Sequence, residues 1–196
     1  MPNEPIEQIV IEQALASRSH LAVACAVRQS FDTILKTVVG KFLQQLTTEL
    51  TNSLGPTWKI TAKAPETSQG EHLVFMIGKK NCFEYRRIVL GMYGSPSKAF
   101  MGILRVQPVS PFSEKDDEDL RANLATVITS SIKTDREWVG WWDVKHNTYS
   151  SWNSKVPDAL CDMYYDTFQV VGYFKEAIQR CARTVEPIMD RCYPLV

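Results

Sequence analysis

The chain has no surplus of either charge. Lys plus Arg and Asp plus Glu stand at 22 each, so no global field draws it toward nucleic acid or a membrane surface, and an acidic mimic of DNA is equally disfavoured. It has no CxxC pair. Cys25, Cys82, Cys161, Cys181 and Cys192 are odd in number and widely spaced, which is neither a disulfide framework nor the spacing of zinc ligands. Buried free thiols in a reducing compartment are the expectation. His20, His72 and His146 make no HxxxH or HxH arrangement, so no metal site is expected from them. No stretch approaches the ~18 uninterrupted apolar residues of a membrane span, and the opening MPNEPIEQ lacks the charged-then-apolar leader of a secretory signal. A soluble, cytoplasmic protein that does not engage a membrane is expected. There is no GxSxG among the serines. Residues 91–94 read GMYG, without the third glycine or the following helix of a phosphate cradle. Repeats and low-complexity tracts are missing too, and no cofactor is implied.

What is present suits a globular domain. At 44% apolar and 196 residues, the chain can bury a sizeable core without staples. One domain over 1–196 is expected, with a helical N-terminal part over 1–55 and a sheet with C-terminal helices over 56–196. Residues 4–17 carry a short helical pattern through Ile6, Ile9, Ile11 and Leu15. Over 20–54, Val27, Phe31, Ile34, Leu35, Val38, Phe42, Leu46 and Leu50 recur at three- and four-residue steps, which predicts one long helix. Gly55-Pro56 then stops it.

Strand patterns follow at 58–64, 72–77, 83–93 and 100–106, with turn chemistry at 94–97. Ser113 opens a helix whose first turns hold Glu114, Asp116, Asp117, Glu118 and Asp119, where the helix dipole favours negative charge. This acidic run is a solvated helix start rather than a metal site. After a tryptophan-rich strand, Pro157 suits a first helical position, and the apolar stripe from Leu160 to Ile188 predicts a single long helix that Pro187 kinks or ends. The fold class is therefore α+β: a mostly antiparallel sheet of about five strands, with long N- and C-terminal helices packed on one face.

The densest information lies in residues 137–153, which hold Trp138, Trp141, Trp142 and Trp152, four of the five tryptophans. Strict alternation along a strand puts Trp138, Gly140, Trp142 and Val144 on one face and Val139, Trp141, Asp143 and Lys145 on the other. Asp143-Val144-Lys145 matches the terminal half of the PD-(D/E)XK nuclease motif, in which the carboxylate holds Mg²⁺ and the lysine stabilises charge at the phosphate. The required upstream metal-binding acid has no clear match: Asp135 lies in a turn, and Glu84 sits on a distant strand beside two arginines. The competing reading is a surface ion pair of small energetic value.

Lys79, Lys80, Arg86 and Arg87, interleaved with Phe83 and Tyr85, form a basic aromatic hairpin of a kind that binds single-stranded nucleic acid. The competing reading is a solvated face with snorkelling side chains, which the neutral net charge favours. Two long helices of roughly 50 Å, at about 1.5 Å per residue, overhang strands of six to ten residues and leave apolar stripe for a partner. Phe42, Leu46, Phe174 and Ile178 are the candidates for a homodimer contact. Trp141, Tyr149 and Trp152 are of the residue types that anchor interfaces.

From about Phe83 onward the order of features resembles the C-terminal region of bacterial and phage proteins related to PD-(D/E)XK nucleases. The likeness rests on an apolar strand with a small-residue turn, Gly102-Ile103, the strand from Trp138 to Lys145, the isolated Trp152 and the final long helix. In those proteins this region is accessory to the catalytic residues, and the nuclease half has no counterpart here. The resemblance implies a bacterial or phage origin and a recognition role. The expected function is a non-enzymatic, protein-binding regulator of the immunity, antitoxin or anti-defence type. The alternatives are a Mg²⁺-dependent nuclease using Asp143 and Lys145, or a single-strand nucleic-acid binder.

Overall fold

The computed structural model describes residues 4–67, 71–93, 98–107, 111–152 and 158–192, with side chains from residue 8 onward. Two helices come first, α1 (Glu4–Leu15) and α2 (Arg18–Leu54). The strands β1 (Trp58–Ala62), β2 (His72–Lys79), β3 (Arg86–Tyr93) and β4 (Lys98–Arg105) follow. The chain closes with α3 (Glu114–Ala125), β5 (Trp138–Asp143), α4 (Asp158–Tyr165) and α5 (Thr167–Cys192). The strands pair in chain order, each antiparallel to the next. The molecule is α+β, with helices at both ends of the chain, as its pattern implies.

Local chemistry explains the helix ends. The Ser17 side chain accepts from the His20 amide at 3.1 Å and caps α2. At the other end Gly55 adopts φ +79°, a conformation that favours glycine. Ser113 and Asp116 exchange hydrogen bonds to each other's backbone, closing a capping box that starts α3.

One side of the sheet is covered. Leu35, Val38, Val39, Phe42, Leu43, Leu46 and Leu50 of α2 are buried against it. So are Val170, Phe174, Ile178, Val185 and Met189 of α5, together with Leu120 and Leu124 of α3. Trp152 is completely buried here, edge-on to Phe42 (5.8 Å between centroids) and Phe174 (5.7 Å). Its indole N–H donates to the Tyr149 carbonyl at 3.0 Å. Ion pairs clamp the layers together. Lys175 of α5 meets Glu49 of α2 at 2.6 Å, and Asp117 of α3 holds both Arg86 (3.0 Å) and Arg105 (2.9 Å).

Three expectations need correction. The tryptophan strand does not alternate strictly. Ile103 pairs with Gly140 and Leu104 with Trp138, so Val139 is an extra residue in a bulge. Val139, Trp142 and Val144 therefore join the covered core, whereas Trp138 turns to the opposite face beside Trp141. Trp138 and Trp142 are both buried, but on different sides. Second, the stripe expected to form one helix forms two, separated at Asp166. The Thr167 hydroxyl donates to the Met163 carbonyl at 2.7 Å, and Tyr165 and Phe168 at the junction are exposed. Third, of the two outcomes expected at Pro187, a kink or an end, the end does not occur: α5 runs on to Cys192. Buried Ile188 and Met189, and the ion pairs of Asp190 with Lys79 and of Arg191 with Asp116 and Asp119, hold the turn beyond the proline. Pro157 and the turn at 94–97 lie outside the described residues. Cys82 and Cys181 are buried as expected for free thiols, but Cys25 and Cys161 are exposed.

Candidate functional site

The other side of the sheet carries a second, smaller apolar cluster of Val89, Phe100 and Trp138, with Leu73, Met76, Tyr93, Leu104 and Trp141 packed around it. Every member lies on a strand. Among the described residues no helix contributes to it, so this face lacks the helical layer that covers the first, although Val89, Phe100 and Trp138 are themselves buried.

Two glycines form the floor. A Cβ on Gly91 would collide with the Phe100 ring, and one on Gly102 would stand 2.7 Å from the Trp141 Cβ and 2.8 Å from the Trp138 ring. With only hydrogen at these positions, the rings lie down on the sheet. They meet edge to face: Phe100 with Trp138 at 5.5 Å, Phe100 with Tyr93 at 5.6 Å, and Tyr93 with Trp141 at 5.8 Å. Between them opens a cavity of about 170 Å³, lined by Glu71, Tyr93, Phe100, Asp135, Trp138 and Trp141.

Asp143 stands at the end of β5 on this face. Its carboxylate accepts from the Tyr93 hydroxyl at 2.6 Å and from the Lys133 ammonium at 3.0 Å. Burial pushes the Asp143 carboxyl up. The hydrogen bonds from Tyr93 and Lys133, with the charges of Lys133 and Lys98, outweigh it and hold the group below the usual carboxylate range. The same hydrogen bond, aided by burial and the carboxylate's charge, pushes the Tyr93 phenol up to about 12. Lys133 reaches the site because residue 133 pairs with Trp141 through two backbone hydrogen bonds of 2.8 Å. Its Nζ rests 4.2 Å from the Trp141 ring centroid.

The Asp143–Lys145 pairing does not occur. β5 ends at Asp143, Val144 turns into the core, and Lys145 is exposed beyond the strand. The lysine that meets Asp143 comes from ten residues upstream. Among the described residues, no three His, Cys, Asp or Glu side chains converge to hold a metal ion. The Asp–Lys pair of the nuclease motif is therefore not formed by Asp143 and Lys145.

Six of the seven residues expected at a partner surface are in the core. Phe42, Leu46, Trp152, Phe174, Ile178 and Tyr149 are buried beneath intramolecular neighbours, and only Trp141 is partly exposed. The basic hairpin divides in the same way. Arg86 points into the helix-covered side and is buried with Asp117, while Lys79 is buried with Glu186 (2.6 Å) and Asp190 (3.1 Å) of α5. Arg87, on the open face, donates to the Phe83 carbonyl at 2.7 Å and pairs with Glu84. Lys80 alone of the four is exposed. Consecutive strand residues face opposite ways, so a basic run of this kind cannot act as one patch.

The uncovered apolar surface lies elsewhere. Ile9, Val10, Ile11 and Leu15 of α1, and Leu21, Val23, Val27 and Ile34 of α2, are all exposed. Leu35 is the first α2 residue to enter the core. The preceding 17 residues extend for about 25 Å and bury no side chain fully, with only Phe31 packed against the edge of the core. Phe42 and Leu46, expected at a partner contact, lie in the buried half of α2, and the exposed apolar side chains lie in its N-terminal half.

Tyr93, Phe100, Lys133, Glu71 and Asp135 were not foreseen at a common site. The register of β3 with β4, in which Gly91 opposes Phe100, was a usable signal. The β4–β5 pairing that adds the tryptophans was not, because 32 residues separate those two strands. No family model matches the chain, and neither does a curated protein or a solved structure.

Proposed function

We propose that this is a non-enzymatic interaction protein, assembled as a homodimer through the α1–α2 arm, which acts by protein binding in the manner of immunity, antitoxin or anti-defence factors of bacteria and phage. The observation that carries the reading is the segment 20–27, HLAVACAV. It is helical, apolar apart from its first residue, and exposed at every position but Ala24. A helix apolar on all sides normally lies within a protein interior. Fully burying each large side chain there is worth about 1.5–3 kcal/mol.

A second copy of the chain is the occupant that suits the arm. Over residues 8–34 the charges are Glu12, Arg18, Arg28 and Asp32, two of each sign, so like arms meet without net repulsion. Ala22 and Ala26, about one turn apart, let helices approach closely. Isologous pairing of two such arms closes into a two-fold dimer. The resemblance of the tryptophan strand and the last helices to an accessory recognition region supports binding over catalysis.

Sedimentation and light scattering test the proposal. The native protein is expected at dimer mass, and Leu21→Glu combined with Val27→Glu at monomer mass with unchanged helical content, since both side chains are exposed in the protomer. A native protein that stays monomeric at every concentration would sink it.

A further inference from the structure

We propose that the cavity on the open face of the sheet is a receptor for a small quaternary or N-methylated ammonium group. Its walls are Tyr93, Phe100, Trp138 and Trp141, set nearly at right angles to their neighbours, with interplanar angles of 70° to 79°. An aromatic face that borders such a cavity attracts a cation. The remaining described lining residues are Glu71 and Asp135, and no basic side chain is among the described residues that line the cavity. The ligand therefore carries positive charge. A phosphate-bearing strand would meet two carboxylates, which counts against nucleic acid at this site.

Size narrows the choice. About 170 Å³ is well below the roughly 300–1,000 Å³ that holds a drug-sized molecule, and it suits an ammonium head carrying methyl groups. The acid is already in place: Asp135 Oδ1 accepts from the backbone amides of Glu137 (2.8 Å) and Trp138 (3.0 Å), so its carboxylate needs no reordering on binding. Tyr93 is held through its hydroxyl by Asp143. The face also contains its own precedent. Lys133 places an ammonium 4.2 Å from the Trp141 centroid and 3.0 Å from Asp143, an indole and a carboxylate gripping one cation.

Calorimetry on the full chain tests this with choline, tetramethylammonium and 3,3-dimethyl-1-butanol, the uncharged isostere of choline. Both cations are expected to bind saturably, and the neutral isostere about tenfold more weakly or not at all, from the strength of a desolvated cation–π contact. Trp141→Ala is expected to weaken choline about tenfold. Because that substitution also removes packing, the combination of Glu71→Gln with Asp135→Asn serves as a second probe, and it should weaken choline by a similar factor while leaving the isostere unaffected. A trimethyllysine peptide distinguishes the source. Tighter binding than choline assigns the site to a modified protein tail, and equal or weaker binding to a free small cation. Equal affinity for choline and its neutral isostere, or no saturable binding of either cation, overturns the proposal.

Discussion

Two aromatic clusters flank the same sheet. On the helical side Phe42, Trp152 and Phe174 meet edge to face at 5.5–5.8 Å, and on the open side Tyr93, Phe100, Trp138 and Trp141 do so at 5.5–6.1 Å. The ring geometry is nearly the same, and the surroundings are not. Inside, the single indole N–H of Trp152 is satisfied by a neighbouring carbonyl, and the rings lie within the main apolar cluster. Outside, Lys133, Asp143, Glu71 and Asp135 rim the cluster. Aromatic packing by itself thus does not separate a core from a receptive surface. The separation comes from whether another layer lies on top and from what the rim carries.

The largest expected effect tests that contrast. Phe174→Ala, which empties a site packed on every side, should cost about 3–5 kcal/mol in chemical denaturation. Trp141→Ala, on a partly exposed ring, should cost nearer ~1 kcal/mol. Equal losses would mean that the open cluster is a second core, and the case for a binding face would fail with it. Asp117 comes next. It is the buried carboxylate that holds Arg86 and Arg105 on the covered side, and Asp117→Ala should cost about 3 kcal/mol because two guanidiniums lose their partner. On the open side, removing Lys133 should cost well under ~1 kcal/mol, since both members of its pair with Asp143 are solvated. Stability measured on both variants sharpens the difference between an ion pair inside the fold and one at a rim.

The smallest effect is read in alkali. Tyr93 keeps its proton to about 12 because its hydroxyl donates to Asp143. A phenol whose folded pKa is raised contributes stability that is complete below about pH 10 and is lost as the pH climbs through about 12. Ultraviolet titration of the native protein should show this late-ionising tyrosine, and Asp143→Asn should move it earlier. An unchanged titration would mean that the Tyr93–Asp143 contact does not form in solution.

Much of the architecture is written in short-range pattern. The cap at Ser17, the stop at Gly55, the capping box at Ser113 and the four consecutive strands follow from contacts within a few residues, and such contacts are present in any window of the chain. The class of fold follows from their order. What lies over each element does not. The 37 residues of α2 read as one apolar stripe, yet its second half is core and its first half is largely exposed; α5, about 126 residues away, meets the second half at Glu49. Trp138 and Trp141 came to share a face with Phe100 through one extra residue opposite β4, and a slip of one residue reverses every side chain beyond it. Burial, pairing across long loops and the meeting of charges are properties of the packed chain, since each depends on groups that sequence distance keeps apart until the layers close.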